Sequence, residues 1–198
     1  RGASPSGRGL GAASVSLAIL LGPPGALVAE CAERISAASG RSCLIVDDAV
    51  EAVAGESPER IVTTKGARAL RAVEREVVGA ILDSIDAADD RILALSSGSL
   101  GDGEDDEDFA PVRRRIAELA GEGAVVVHLT GNLATLVKRT GVGGPRLAAV
   151  ESPRKIFYRH LSRREPLYAA AAEATLDTSG MDVAEAAERV ARLLCSTS

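Results

Sequence analysis

Apolar and polar positions alternate between two patterns along this chain. Short, nearly continuous apolar runs predict buried β-strands, and longer segments with apolar residues at three- and four-residue spacing predict amphipathic helices. The predicted strands are Val15–Leu21, Cys43–Val46, Arg91–Leu95, Ala124–Leu129 and Ala174–Asp177. The predicted helices are Leu27–Ser39, Val50–Ala54, Pro58–Lys65, Gly66–Ile85, Val112–Leu119, Leu133–Arg139, Arg154–Ser162, Leu167–Glu173 and Val183–Leu194. Strands that alternate with helices indicate a parallel sheet with helices on both faces, and ligands bind such sheets beyond the carboxyl ends of the strands.

Composition narrows the function classes. The chain has 198 residues, of which 46% are hydrophobic and 26% charged, as expected for one ordinary globular domain. A net charge of −5 and an aromatic content of 2% argue against a nucleic-acid partner. The longest apolar run, residues 15–21, is too short to span a membrane. Three cysteines and two histidines, scattered along the chain, predict neither a disulfide framework nor a metal site.

Residues 1–14 differ from the rest of the chain. They are rich in Gly, Ser and Ala, contain two arginines and have no acidic residue. This composition predicts a flexible tail left by a processed organellar transit peptide, and a boundary set by cloning or cropping is the alternative. Residues 15–198 are then one domain. The same composition favours an organelle, with the cytoplasm as the alternative.

A degenerate phosphate-binding loop follows the first predicted strand. Gly22-Pro23-Pro24-Gly25 lies between a strand and a helix, which is the setting of the pattern G-x-x-x-x-G-K-[ST]. The second glycine, the lysine and the hydroxyl of that pattern fall at Leu27, Val28 and Ala29. We therefore expect Leu27 and Val28 to fill the phosphate hollow, with no positive charge for a phosphoryl group and no oxygen for Mg²⁺.

Downstream residues resemble the shikimate kinase family. Asp47-Asp48-Ala49-Val50, Gly55 and the run from Gly66 to Glu74 follow the order of the family pattern D-x-x-I…G…G-E-x-x-F-R-x-x-E, with Ala and Leu replacing Glu and Phe. Arg164-Glu165-Pro166-Leu167-Tyr168 matches the pattern R-x-P-L-Y. The resemblance runs from about Val15 to Leu194. It implies a P-loop NTPase-like, three-layer αβα sandwich with a five-stranded parallel sheet, of the shikimate and nucleoside-monophosphate kinase type.

The resemblance divides the site into a retained half and a lost half. It implies that Asp47, Arg71 and Arg164 hold the hydroxyls and carboxylate of shikimate, chemistry that suits an Asp acceptor and Arg forks. The alternative is that Arg71 pairs only with Glu74 on the same helix.

On the nucleotide side, the family's metal-side acidic position corresponds to Ile45, its glycine triplet to Ser96-Ser97-Gly98, and its lid arginine to Gly144. Arg146 is the candidate to replace that lid arginine if the lid is shifted along the chain. Arg139 is retained, either facing an adenine or capping its own helix.

An acidic segment, Asp102–Asp108, follows the third strand. Its like charges predict an extended, solvated loop, and an interaction surface for a basic partner is the alternative.

These features favour a shikimate-kinase-like protein that is not an enzyme. We expect it to have no catalytic residue, metal or cofactor, and to serve as a structural or regulatory subunit bound to an unidentified protein partner in an organellar assembly. The resemblance implies the chloroplast stroma as the first location, since degenerate shikimate-kinase-like proteins occur in plastids. The alternatives are an active shikimate kinase, which phosphorylates the 3-hydroxyl of shikimate with ATP and Mg²⁺, and a sensor that binds a shikimate-like anion.

Overall fold

The computed structural model of this chain describes residues 16–141 and 153–196. The predicted tail, Val15, Gly144 and Arg146 lie outside these residues. The strands are β1 (Leu17–Leu21), β2 (Ser42–Ile45), β3 (Arg91–Ala94), β4 (Val125–Thr130) and β5 (Ala174–Asp177). The helices are α1 (Val28–Ser39), α2 (Val46–Ala54), α3 (Pro58–Lys65), α4 (Ala67–Asp83), α5 (Ala110–Gly121), α6 (Leu133–Thr140), α7 (Pro153–Ala171) and α8 (Val183–Ser196). A short 3₁₀ helix, Glu107–Phe109, precedes α5.

All pairings in the sheet are parallel, and the strand order is β2-β3-β1-β4-β5. In β1, Ile19 pairs with Leu93 on one side and with Val126 on the other. The first strand therefore lies in the centre of the sheet, and the loop that follows it lies at the centre of the carboxyl edge. This arrangement confirms the predicted αβα sandwich with a five-stranded parallel sheet.

The two faces of β1 belong to two separate hydrophobic clusters. Leu17, Ile19 and Leu21 pack with residues of α2, α4, α5 and α7, whereas Ala18 and Leu20 pack with residues of α1 and α8. All five side chains are fully buried. Burial on both faces explains why the strand is a continuous apolar run rather than an alternating one.

Two helices differ from the sequence prediction. The first is α2, which begins at Val46, directly after β2, so that Asp47 lies in the first turn of a helix and not in a loop. The second is α7, which is continuous over Pro153–Ala171 where the sequence predicted two helices separated near Pro166. Proline removes one backbone hydrogen bond from a helix. The buried side chains of Leu167 and Tyr168 pack in the core and hold the segment helical in spite of this loss.

Within the part of the chain that the structure describes, no helix has the length and apolar character needed to cross a membrane.

Candidate functional site at the carboxyl edge of the sheet

The loop between β1 and α1 has a backbone that requires small or unusual residues. A Cβ on Gly22 would lie 2.1 Å from the carbonyl oxygen of Leu129, so no side chain fits there. Gly25 has a φ of 83°, and a Cβ there would lie 2.9 Å from the carbonyl oxygen of Leu136. Both glycines of the predicted loop are therefore needed for its path along the ends of β4 and α6.

Leu27 keeps the backbone conformation of a glycine. Its φ of 68° and ψ of 31° place it in the left-handed region, and it is the one non-glycine residue there among residues 16–141 and 153–196. It is also the N-cap of α1, and its side chain does not cap the helix. A branched side chain at such an angle is strained. The loop therefore retains its shape although the pattern's second glycine is absent.

A cavity of about 260 Å³ lies beside this loop. Its walls come from the loop and the start of α1, from Ile45 and Asp47 after β2, and from Ala94, Leu95 and Ser97 after β3. Leu27 and Val28 line the cavity but do not fill it, so the expectation of a filled hollow is wrong. Two carboxylates, Glu30 and Asp47, face it, and its described lining contains no lysine or arginine.

The residues around this cavity fit a phosphate chain in part and do not fit its metal ion. The backbone N–H groups of the first turn of α1 have no partners within the helix and carry its positive end. Val28 and Ala29 supply no cation and no hydroxyl, and Ile45 supplies no carboxylate at the position where the family pattern has its metal-side acid. In the described residues, no group of three or more His, Cys, Asp or Glu side chains is arranged to hold a metal.

Arg71 and Arg164 approach each other on the other side of the β3 exit. Arg164 donates from Nε and Nη2 to Oδ1 of Asp102, at 3.0 and 2.5 Å. Nε of Arg71 lies 3.6 Å from Oδ2 of the same carboxylate. The side chains of Arg71 and Arg164 are only 18% and 13% exposed. Two arginines that α4 and α7 carry far apart in sequence thus converge on one carboxylate, and we call them the arginine pair.

Arg71 is fixed by several contacts besides Asp102. Its Nη1 donates to Oε2 of Glu74 and, at 2.9 Å, to the carbonyl oxygen of Gly98. Its guanidinium carbon lies 4.3 Å from the centre of the Phe109 ring. The predicted pairing with Glu74 is therefore present, but it is one contact among several. A Cβ on Gly98 would lie 2.2 Å from Nη1, so glycine is required for this approach.

Residues 96–98 join the arginine pair to the cavity. Nη1 of Arg164 donates to the carbonyl oxygen and to Oγ of Ser97, at 3.2 and 3.3 Å, and Tyr168 donates from its hydroxyl to the same carbonyl at 2.6 Å. Ser97 also lines the cavity beside the loop. Burial raises the pKa of Tyr168 above its ordinary value, so the hydroxyl keeps the proton that it donates. The two halves of the site are therefore contiguous.

The acidic segment, residues 102–108, is folded against the chain's own arginines. Asp102 contacts the arginine pair, Asp105 accepts from Arg163 at 2.7 Å, and Asp108 lies 2.8 Å from Arg75. Partial burial alone would raise the pKa of Asp102. The hydrogen bond from Arg164 and the positive charges of both arginines outweigh that effect and hold this pKa below its ordinary value. The segment is not extended as predicted, because nearby arginines compensate its charge, but its acidic side chains at 104, 105, 107 and 108 are exposed to solvent as predicted.

Arg139 links separate segments of the backbone through hydrogen bonds. It donates to the carbonyl oxygens of Gly25, Thr178 and Met181, at 3.0, 2.9 and 2.8 Å, and to Oγ1 of Thr178 at 3.0 Å. These bonds connect the loop after β1 to the segment between β5 and α8. Its predicted contact with an adenine stays a prediction, as does the predicted lid role of Arg146, which lies outside the described residues.

Sequence reasoning missed a buried polar cluster at the end of β4. His128 is 1% exposed, and its Nε2 lies 3.6 Å from Oε1 of Glu165. Desolvation lowers the pKa of His128 to about 4 and raises that of Glu165, so both groups are shifted toward their neutral forms. The His128 ring centre lies 5.4 Å from that of Tyr168. A histidine at the carboxyl end of a predicted strand and a glutamate beside Arg164 were the available signals.

The parallel sheet with its central strand and glycine-bearing loop defines a P-loop NTPase-like fold of the small-molecule kinase type. A family model described as shikimate kinase matches residues 29–195, beginning directly after Val28. The chain belongs to the shikimate kinase family.

Relatives agree with this assignment, and a solved structure agrees with the fold. A shikimate kinase of Salinispora arenicola is 32% identical over 178 residues, which cover 90% of this chain and 97% of that protein. One of Mycobacterium ulcerans is 33% identical over 164 residues, covering 82% and 80%. A shikimate kinase from Acinetobacter baumannii, solved in complex with shikimate, has a TM-score of 0.73 at 23% identity and covers 92% of this chain and 94% of its own.

These comparisons correct one prediction. The chain was expected not to be an enzyme, but relatives at about 30% identity over most of its length are named shikimate kinase, which is an enzyme. Val28 and Ala29 leave the loop without the lysine and the hydroxyl of the pattern, but nothing in the structure shows inactivity. A protein partner, an organellar location and the tail's origin stay predictions.

Proposed function

We propose that this chain is a shikimate kinase that transfers the γ-phosphoryl group of ATP to a hydroxyl of shikimate or of a very similar hydroxylated carboxylic acid. The observation that carries the proposal is the convergence of Arg71 and Arg164, both largely buried, on a single carboxylate position next to the cavity of the β1–α1 loop. A fixed pair of guanidinium groups is the arrangement that recognises a carboxylate with geometric specificity.

The acceptor half of the site supports a ligand with both an acid and hydroxyl groups. The arginine pair binds the carboxylate of the ligand. Contacts with Gly98, Ser97 and the Phe109 ring fix the position of the two arginines. Asp47, in the first turn of α2, faces the adjoining cavity and is suited to accept a hydrogen bond from a hydroxyl of the same ligand. Such a ligand extends from the arginine pair past Ser97 toward the loop.

The other half of the site, around the β1–α1 loop, would bind the phosphates of ATP, and its residues favour slow phosphoryl transfer. Backbone N–H groups at the start of α1 and the positive end of that helix attract phosphate oxygens. Val28 and Ala29 add no further stabilisation, and the loss of one preorganised donor typically costs about 10²–10³ in rate. The kcat of an ordinary kinase is about 1–100 s⁻¹. We therefore expect turnover below about 0.1 s⁻¹ from this chain.

The test is a coupled assay of ADP release with shikimate, ATP and Mg²⁺, with phosphorylated product identified by mass spectrometry. The triple variant Leu27→Gly, Val28→Lys, Ala29→Ser restores the loop pattern, and we expect it to raise kcat at least about 10²-fold. Arg164→Gln should abolish saturation by shikimate. Arg163→Gln is the matched control. Arg163 is half-exposed, and in the described structure it pairs with Asp105 of the acidic segment and donates to the backbone carbonyl of Asp102.

The outcomes separate the parts of the proposal. Shikimate-dependent turnover by the native sequence that disappears in Arg164→Gln and persists in Arg163→Gln supports it. Turnover by the triple variant alone, with none above background for the native sequence, would overturn the proposed activity of this chain while keeping the acceptor site. Saturable turnover that is unchanged in Arg164→Gln would overturn the acceptor site.

A further inference from the structure

Asp102 uses the part of the arginine pair that an incoming carboxylate would need. Nε and Nη2 form the two-donor edge of Arg164, and both donate to Oδ1 of Asp102. The remaining nitrogen, Nη1, donates to Ser97. Every nitrogen of Arg164 is therefore engaged, and its fork is already occupied by a carboxylate from the same chain.

Arg71 completes the occupied position. Its Nε faces the second oxygen of Asp102 at 3.6 Å, so that each carboxylate oxygen faces one arginine. Its Nη2 is buried without a hydrogen-bond partner and lies 3.8 Å from Oδ2 of Asp106. A buried guanidinium nitrogen without a partner is costly. Arg71 thus retains unused donor capacity that Asp102 does not satisfy and that a better-placed acid could use.

The acidic segment is fastened mainly by contacts that lie outside the arginine pair. Arg163 donates to the carbonyl oxygen of Asp102 and to Oδ1 of Asp105, and Arg113 donates to the carbonyl oxygens of Leu100 and Asp106. The Asp102 side chain is 39% exposed, although its two arginine partners are largely buried. Its carboxylate can therefore leave the pair toward solvent together with the turn at residue 102, while Arg113 keeps the backbone at Leu100 and Asp106 in place.

We infer that Asp102 is an internal competitor for the arginine pair, and that a carboxylate ligand binds there only by displacing the Asp102 carboxylate. Two carboxylates cannot share the position, because Asp102 and Ser97 already engage every nitrogen of Arg164 and because two adjacent carboxylates repel each other. This inference rests on the proposed acceptor site. It adds to that site the residue that weakens ligand binding, Asp102, and the segment that moves when the ligand binds.

The experiment is calorimetric titration of the full chain with shikimate. In Asp102→Asn, which keeps the shape and removes the charge, we expect shikimate to bind about ten- to hundredfold more tightly than in the native sequence. Asp105→Asn is the matched control: Asp105 lies in the same segment, is 78% exposed and pairs with Arg163 rather than with the arginine pair. Its affinity should stay within about twofold of the native value.

A second measurement needs no substitution. The N–H of Asp102 donates to Oδ2 of Asp106 at 2.9 Å, so amide hydrogen exchange at residue 102 reports on the folded segment. Saturating shikimate should speed this exchange at least about threefold in the native chain if Asp102 is displaced.

The outcomes distinguish this inference from the proposed function. Tighter binding by Asp102→Asn but not by Asp105→Asn, with faster exchange at residue 102, supports the inference. Equal affinities of the native chain and Asp102→Asn, or exchange at residue 102 that slows or is unchanged on saturation, would overturn the inference and leave the acceptor site standing. If neither the native chain nor Asp102→Asn binds shikimate at millimolar concentration, the acceptor site itself is refuted, and this inference with it.

Discussion

The left-handed backbone of Leu27 allows strain and packing to be separated at one position. Two substitutions, Leu27→Ala and Leu27→Gly, remove the same side chain, which is 9% exposed. Large-to-small changes at buried leucines cost about 2–5 kcal/mol, and a residue that borders a cavity belongs at the low end, about 2–3 kcal/mol. Alanine keeps the left-handed penalty of its Cβ, whereas glycine does not.

We therefore expect Leu27→Gly to be more stable than Leu27→Ala by about 1 kcal/mol, although both are less stable than the native sequence. The matched control is Ala37→Gly, on the exposed face of α1. In an ordinary helical conformation the same exchange of alanine for glycine should cost about 0.5–1 kcal/mol, so the sign of the effect reverses between the N-cap and the interior of α1.

The assay is urea unfolding followed by circular dichroism, with the free energy of unfolding compared at constant m-value. If Leu27→Ala is as stable as Leu27→Gly or more stable, residue 27 is not held in a left-handed conformation. The loop would then not retain the backbone of a phosphate-binding loop.

Three further predictions concern buried groups and glycines. Desolvation raises the pKa of the Cys31 thiol to about 12, so a thiol reagent at pH 8 should label exposed Cys195 quickly and Cys31 only after unfolding, as mass spectrometry would show. The pKa of His128 is lowered to about 4, so between about pH 6.5 and 4 the unfolded chain binds a proton that the folded chain does not. Stability should accordingly fall as pH falls through this range, by at most about 1.4 kcal/mol per pH unit from this group, and this part of the slope should disappear in His128→Gln. An alanine Cβ at Gly22 would meet a carbonyl oxygen at 2.1 Å, whereas one at Gly79 in α4 meets nothing within 4 Å. Thermal unfolding should show Gly22→Ala destabilised by about 3 kcal/mol or more and Gly79→Ala stabilised by about 0.5–1 kcal/mol, and a destabilised Gly79→Ala would contradict this comparison.

Local pattern was sufficient for the order of elements and for much of the site's framework. The apolar runs became the inner strands β1, β3 and β4 because strands buried on both faces need apolar residues at nearly every position, whereas the edge strands β2 and β5 are partly exposed. The glycines at 22 and 25 marked the loop correctly, since only residues without a Cβ fit its path. The resemblance to the shikimate kinase family, and not local pattern, singled out Arg71 and Arg164, which the fold brings together.

Pattern failed where distant contacts override local preference. Pro166 ends a helix by local rules, yet α7 continues through it because Leu167 and Tyr168 are buried in the core. Like charges in residues 102–108 predict an extended loop, yet the segment folds because arginines from α4, α5 and α7 compensate them.

The sequence by itself determined the αβα order, the place of the β1–α1 loop and the chemistry that this loop lacks, because these depend on residue type and near-neighbour spacing. Only the tertiary structure decided that Leu27 adopts a glycine-like backbone, that the cavity stays open and that Asp102 lies between Arg71 and Arg164. Those features depend on which side chains meet across the carboxyl edge of the sheet. Asp102 and Arg164 are far apart along the chain, and no local pattern encodes the distance between their charges.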